Sequence, residues 1–156
     1  MASSPGRLAG AMTVAALMLG AIAEPAAAKV TFSGIGDVQI GMSEADVKAE
    51  LGPPSRSQTG RNRSTTMLVY RRQKLEVFLY REQDRVVSVG TKSRAQRTSS
   101  GLGVGSSTSA VRAKLRDEKC GTARGILVCS VQRGERVMDF EIRRGKVFRV
   151  AVADLG

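Results

Sequence analysis

The chain has 156 residues, with 25 Lys and Arg against 14 Asp and Glu, a formal net charge of +11, two Cys and no His. Without imidazole there is no Ser–His or Cys–His nucleophilic pair and no HExxH zinc motif, and two thiols alone do not make a metal cage. The charge favours anionic partners such as acidic proteins, wall polymers or anionic lipid, although it also simply keeps a protein soluble.

In chain order, the first segment reads as a leader. Arg7 and the amino terminus precede a 13-residue apolar run, Ala11 to Ala23, too short to span a bilayer as a helix. Ala26-Ala27-Ala28 then offers the small residues of a cleavage site. Residues 1–28 are thus expected to be a signal peptide, cleaved near Ala28, with no transmembrane segment after it. No Cys stands at the cleavage site to carry a lipid anchor. The mature chain from Lys29 is expected to be secreted or periplasmic, and export argues against nucleic acid as its partner.

"IGMSEADVKAELGPPS" (Ile40 to Ser55) comes next. Ser43 is a good N-cap, with Asp46 placed to complete a capping box. Val47 and Leu51 share one helical stripe, and Gly52-Pro53-Pro54 ends the helix. Pro53 to Thr65 reads as an irregular loop. Thr66 to Tyr70, Lys74 to Tyr80 and Arg85 to Thr91 then read as three antiparallel strands. The segment Lys92 to Gly103, polar and rich in Gly and Ser, reads as a linker.

"VGSSTSAVRAKLRDEK" (Val104 to Lys119) resembles the first helix motif, with Ser107 as its N-cap. Strands follow at Gly125 to Val131, Arg136 to Ile142 and Lys146 to Ala153, the last two joined by a hairpin at Arg143 to Gly145. The expected fold is therefore α+β: tandem repeats at 29–91 and 104–156, joined by the linker 92–103. Each repeat would be a short helix packed on an antiparallel meander, with both helices on one sheet face and the pair forming one unit. Cys120 and Cys129 are nine apart and, in an exported protein, most simply form a disulfide contributing about 2–3 kcal/mol.

The Gly-Met-Ser turn, capped helix and Leu-Gly-x-Pro ending of the first motif resemble SmpA/BamE-type envelope proteins. The doubled arrangement resembles the β-lactamase inhibitory protein superfamily. That resemblance implies helices on one side of the sheet and a concave partner-binding surface on the other. One Cys pair and no lipobox depart from those families.

Strand parity nominates the surface residues. Met138, Phe140 and Ile142 alternate with Asp139, Glu141 and Arg143, so the first set is expected in the core. Leu75, Val77 and Leu79 take the matching core role, which turns Glu76, Phe78 and Tyr80 outward. An aromatic pair on a polar sheet face suits an interface anchor; equally, "LEVFLY" reads as a strand buried on both faces. Tyr70 could join the patch, and Arg71, Arg72 and Arg143 could border it, within basic clusters that also hold Arg61, Arg63, Lys74, Arg144, Lys146 and Arg149. Such a rim suits an acidic surface on another exported or envelope protein.

The glycine runs Gly34 to Gly36 and Gly101 to Gly105 lack a Walker lysine and read as structural turns. Asp37, Glu44, Asp46 and Glu76 form no evident carboxylate pair. No catalytic residue, cofactor or metal ligand is therefore expected. The function expected is a non-enzymatic protein-binding module using the open sheet face, with an enzyme inhibitor as its narrower version. The alternative is a basic envelope protein held on anionic polymer or lipid.

Overall fold

The computed structural model describes residues 30–61 and 63–156, so the expected signal peptide lies outside the described residues. Strands β1 (Val30–Thr31), β2 (Gly34–Ile35) and β3 (Val38–Gln39) form a small antiparallel sheet. Helix α1 (Glu44–Leu51) leads into β4 (Arg56–Thr59), β5 (Thr65–Tyr70), β6 (Leu75–Tyr80) and β7 (Arg85–Thr91). Helix α2 (Thr108–Lys114) leads into β8 (Lys119–Ala123), β9 (Ile126–Arg133), β10 (Arg136–Arg143) and β11 (Lys146–Asp154).

These last eight strands make one antiparallel sheet, in the order β4-β5-β6-β7-β11-β10-β9-β8. The molecule is therefore mostly β, which corrects the α+β expectation. The two similar sequence stretches do not mark off two helix-on-meander units. The reason lies at the centre of the sheet. β7 pairs with β11 from Ser88↔Ala153 to Thr91↔Val150, so a single ladder runs without a break from edge to edge. The helices have 8 and 7 residues and each sinks one fully buried side chain, Val47 or Val111, into the core. Elements that short contribute little burial beside eight strands, and neither would be stable alone.

Their capping is nonetheless well defined. Ser43 Oγ accepts from the Asp46 N–H at 3.1 Å, and the Asp46 carboxylate accepts from the Ser43 N–H at 3.2 Å. Ser107 Oγ accepts from the Ala110 N–H at 3.1 Å without a reciprocal partner. The hydrogen bonds from Ser43 hold the Asp46 carboxyl below its usual range.

Two strands of the large sheet were not legible as such. Inside the expected loop, polar Arg56–Thr59 forms β4 by pairing with β5. Lys119–Ala123 forms β8 on the opposite edge, every residue exposed. Cys120 faces Cys129 directly across β8 and β9, with Cα atoms 4.0 Å apart, and the two form a disulfide. That bond fastens an edge strand that buries no side chain of its own.

One face of the large sheet carries the core. Leu68 and Tyr70 from β5, Val77 and Leu79 from β6, Val86 and Val89 from β7, Phe140 from β10 and Val150 from β11 pack with Val47 and Val111. Ile35, Val38, Leu102 and Val104 from the small sheet and the connecting loop close the same cluster. The other face is the one that positions the candidate site.

Candidate functional site

Alternation places every second residue of the large sheet on the face away from the core. The ladder then lines these residues up in rows perpendicular to the strands. One row reads Gln58, Met67, Phe78, Ser88, Ala153, Val137 and Gln132, each directly opposite the next. The next reads Arg56, Val69, Glu76, Gly90, Ala151, Asp139, Ser130 and Lys119 across all eight strands. The first row is apolar with small residues at its middle. The second is ionic.

Met67, Phe78 and Val137 are half-buried, while Tyr80, at the end of β6, is 44% exposed. Small Ser88 and Ala153 stand between Phe78 and Val137 at the central seam. Among the described residues, the helices reach the core through Val47, Leu51, Ala110, Val111 and Leu115, and so pack on the opposite side of the sheet.

The ionic row is knitted by Arg149. Its Nε donates to Glu76 Oε2 at 3.2 Å and its Nη1 to Glu141, while Lys92 Nζ reaches Glu76 Oε1 at 2.7 Å. The guanidinium lies close against Gly90, where a Cβ would force it to shift. Gly90 thus leaves room for this close approach. Burial raises the Glu76 carboxyl, but the hydrogen bond from Lys92 and the charges of Arg149 and Lys92 outweigh it and leave it below its usual range. On the same face the Ser130 hydroxyl donates to Asp139 at 2.6 Å.

The expected patch is only partly assembled. Phe78 and Tyr80 share the open face, flanked by Met67, which parity on β5 could have supplied. Tyr70 is 2% exposed and lies on the core face, so its place in a surface patch is corrected. β5 alternates Thr66, Leu68 and Tyr70 inward, against Thr65, Met67 and Val69 outward. Burial pushes the Tyr70 phenol up, and its hydroxyl finds no hydrogen-bond partner among the described residues. Arg71 and Arg72 occupy the turn before β6, whereas Tyr80 ends that strand, about 17 Å further along at the usual rise. Arg143 ends β10 on the Arg71 side of the sheet, its guanidinium stacked over Phe148 with 4.7 Å to the ring centroid. The aromatic pair and those three cations therefore sit at opposite ends of the strands. The cations beside Tyr80 are instead Arg81, which donates to the Arg63 carbonyl at 3.3 Å, and Arg85, bound to Asp154 at 2.7 Å.

Three of the four carboxylates considered for catalysis, all but Asp37, are occupied elsewhere. Glu44 pairs with Lys48 at 2.6 Å, Asp46 caps α1, and Glu76 is bound by Arg149 and Lys92. Among the described residues no group of three or more His, Cys, Asp or Glu could hold a metal ion, and no helix is long and apolar enough to cross a membrane.

Comparison with known proteins bears on the fold. No protein-family model and no curated protein sequence matches the chain. Among solved structures, it is similar to an extracellular protein containing an SCP domain from Bacillus anthracis str. Ames. The TM-score is 0.60 at 13% identity, over 88% of this chain and 49% of that one. A cysteine-rich secretory protein from Staphylococcus aureus subsp. aureus Mu50 gives 0.53 at 13% identity, over 74% and 44%. A DUF4309 family protein from Bacillus subtilis subsp. subtilis str. 168 gives 0.51 at 14% identity, over 72% and 78%. The chain spans about half the length of the first two. These neighbours overturn the expected resemblance to SmpA/BamE and β-lactamase inhibitory proteins. A capped two-turn helix between a glycine turn and a proline stop is local chemistry that many folds can use.

Proposed function

We propose that the chain is an exported, non-catalytic binding module that docks a partner protein on the open face of its large sheet. The observation that carries this is the row Met67, Phe78, Ser88, Ala153 and Val137, largely apolar and half-exposed on a face that, among the described residues, no helix covers. Eight strands of this length span about 850 Å², close to the roughly 800 Å² that one side of a standard protein–protein interface buries. A net charge of +11 suits an apolar strip on the partner bordered by acidic side chains. Export is supported by the disulfide, which persists outside the reducing cytosol, and by neighbours that are themselves extracellular or secretory. The absence of any His, the usual general base, supports a non-catalytic role.

The test is a pull-down from host envelope and culture fluid with wild type and a Phe78→Ala/Tyr80→Ala variant, at low and high salt. One discrete protein held by wild type at high salt and lost with a folded variant is the expected result. Retention only at low salt, equally by both, would leave a basic protein held by charge and overturn the sheet-face reading.

A further inference from the structure

A second concave surface lies away from the aromatic row, at the far end of the β10–β11 hairpin. Arg144 and Gly145 form its two-residue turn with φ of 51° and 74°, the left-handed pair that a tight hairpin needs. Arg143 and Lys146 therefore pair directly, on one side of the ribbon. Like charges set opposite each other repel. The segment before α2 is laid against this turn. The Gly105 N–H donates to the Val147 carbonyl at 2.8 Å, the Val147 N–H to Ser106 at 2.9 Å and the Thr108 N–H to Gly145 at 3.1 Å.

That docking brings two more cations in from the connecting loop. Arg97 is held in place by the carbonyls of Arg94 at 3.1 Å, Gly101 at 3.2 Å and Val104 at 3.3 Å, and by Ser106 Oγ at 3.4 Å. These neutral acceptors leave its charge uncompensated. Arg94 Nε lies 3.8 Å from where a Gly105 Cβ would stand. The open concavity between them measures about 560 Å³ and is lined by Arg94, Arg97, Arg143 and Lys146 together with Val147 and Phe148. Among the described residues no carboxylate lines it. None of the six ion pairs among the described residues involves any of the four cations. Two of the three guanidinium groups are preorganised, Arg97 by its acceptors and Arg143 by the Phe148 ring.

We propose that this cavity is an anion site that takes a phosphoryl group. The forked donors of Arg94 and Arg143 match phosphate oxygens, Lys146 supplies a point charge, and Arg97, whose donors are mostly spent on neutral acceptors, contributes its charge. The site stands independently of the sheet-face reading, because Phe78 and Tyr80 are not part of it.

The experiment is an NMR titration of the isotope-labelled protein with inorganic phosphate. Saturable shifts confined to Arg94, Gly105, Ser106 and the Arg143–Phe148 segment are expected. A folded Arg143→Glu/Lys146→Glu variant should bind at least about tenfold more weakly. The charge-matched Arg71→Glu/Arg72→Glu variant, at the exposed turn before β6, should bind like wild type. Non-saturating shifts spread over the basic surface, or equal weakening in both variants, would overturn the proposal. A second arm adds a soluble glycerol-phosphate oligomer: stronger binding at the same residues assigns the phosphoryl group to a polymer, and weaker binding assigns it to free phosphate.

Discussion

Strands β6 and β10 each lie third from an edge of the same sheet, and both turn alternate residues into one core. Inward they are alike: Leu75, Val77 and Leu79 on one, Met138, Phe140 and Ile142 on the other, all at most 4% exposed. Outward they diverge. β6 presents Glu76, Phe78 and Tyr80, whereas β10 presents Asp139, Glu141 and Arg143. Packing density fixes the inward set, because a close-packed core registers the loss of a single methylene. The outward set answers only to solvent, to its cross-strand neighbours and to whatever binds there. The difference between these faces is where function is written.

The largest effect should come from the inward set. Phe140→Ala removes a side chain with no exposed surface and should lower unfolding free energy by about 3–5 kcal/mol in urea titration. Phe78→Ala, on the outward side of the corresponding strand, should cost about 1 kcal/mol. Equal costs would mean that β6 is buried on both faces, and would remove the comparison.

A middle-sized effect is expected where the two outward faces join. Arg149→Met leaves Glu141 without its cation and Glu76 with Lys92 alone, at an expected cost of about 1–2 kcal/mol. The pH dependence sharpens this. The folded Glu76 carboxyl lies below its unfolded value near 4.5, so its contribution is fully present above that pH and is lost as pH falls through the folded value. Urea midpoints measured from pH 6 downward should fall less steeply in Arg149→Met than in wild type. The smallest effect is expected at Tyr70. Its buried hydroxyl has no partner among the described residues, so Tyr70→Phe should leave stability unchanged or raise it by up to about 1 kcal/mol.

The inward faces of β6 and β10 were legible because their residues alternate with period two. The helix caps at Ser43 and Ser107 were legible because capping is local chemistry. The single sheet was not, since the pairing of β7 with β11 joins residues about 60 apart and nothing in either strand names its neighbour. Polar β4 and fully exposed β8 carry no hydrophobic pattern, and are strands only because an edge was free to pair. The candidate patch was half-legible. Phe78 and Tyr80 followed from parity, but Tyr70 needed the β5 register, and Arg71, Arg72 and Arg143 needed the strand directions to show that they lie at the other end. Arg149 looked like one more surface cation. Its place over Gly90 became evident only once β11 lay beside β7.

The most direct measurement of the central claim is site-specific photo-crosslinking in the host, with a photoreactive residue at Tyr80 on the open face and, separately, at exposed Glu50 on α1. A discrete adduct with another protein from position 80, and none from position 50, is the predicted result. Adducts from both positions alike, or none from position 80, would contradict a binding role for the open sheet face.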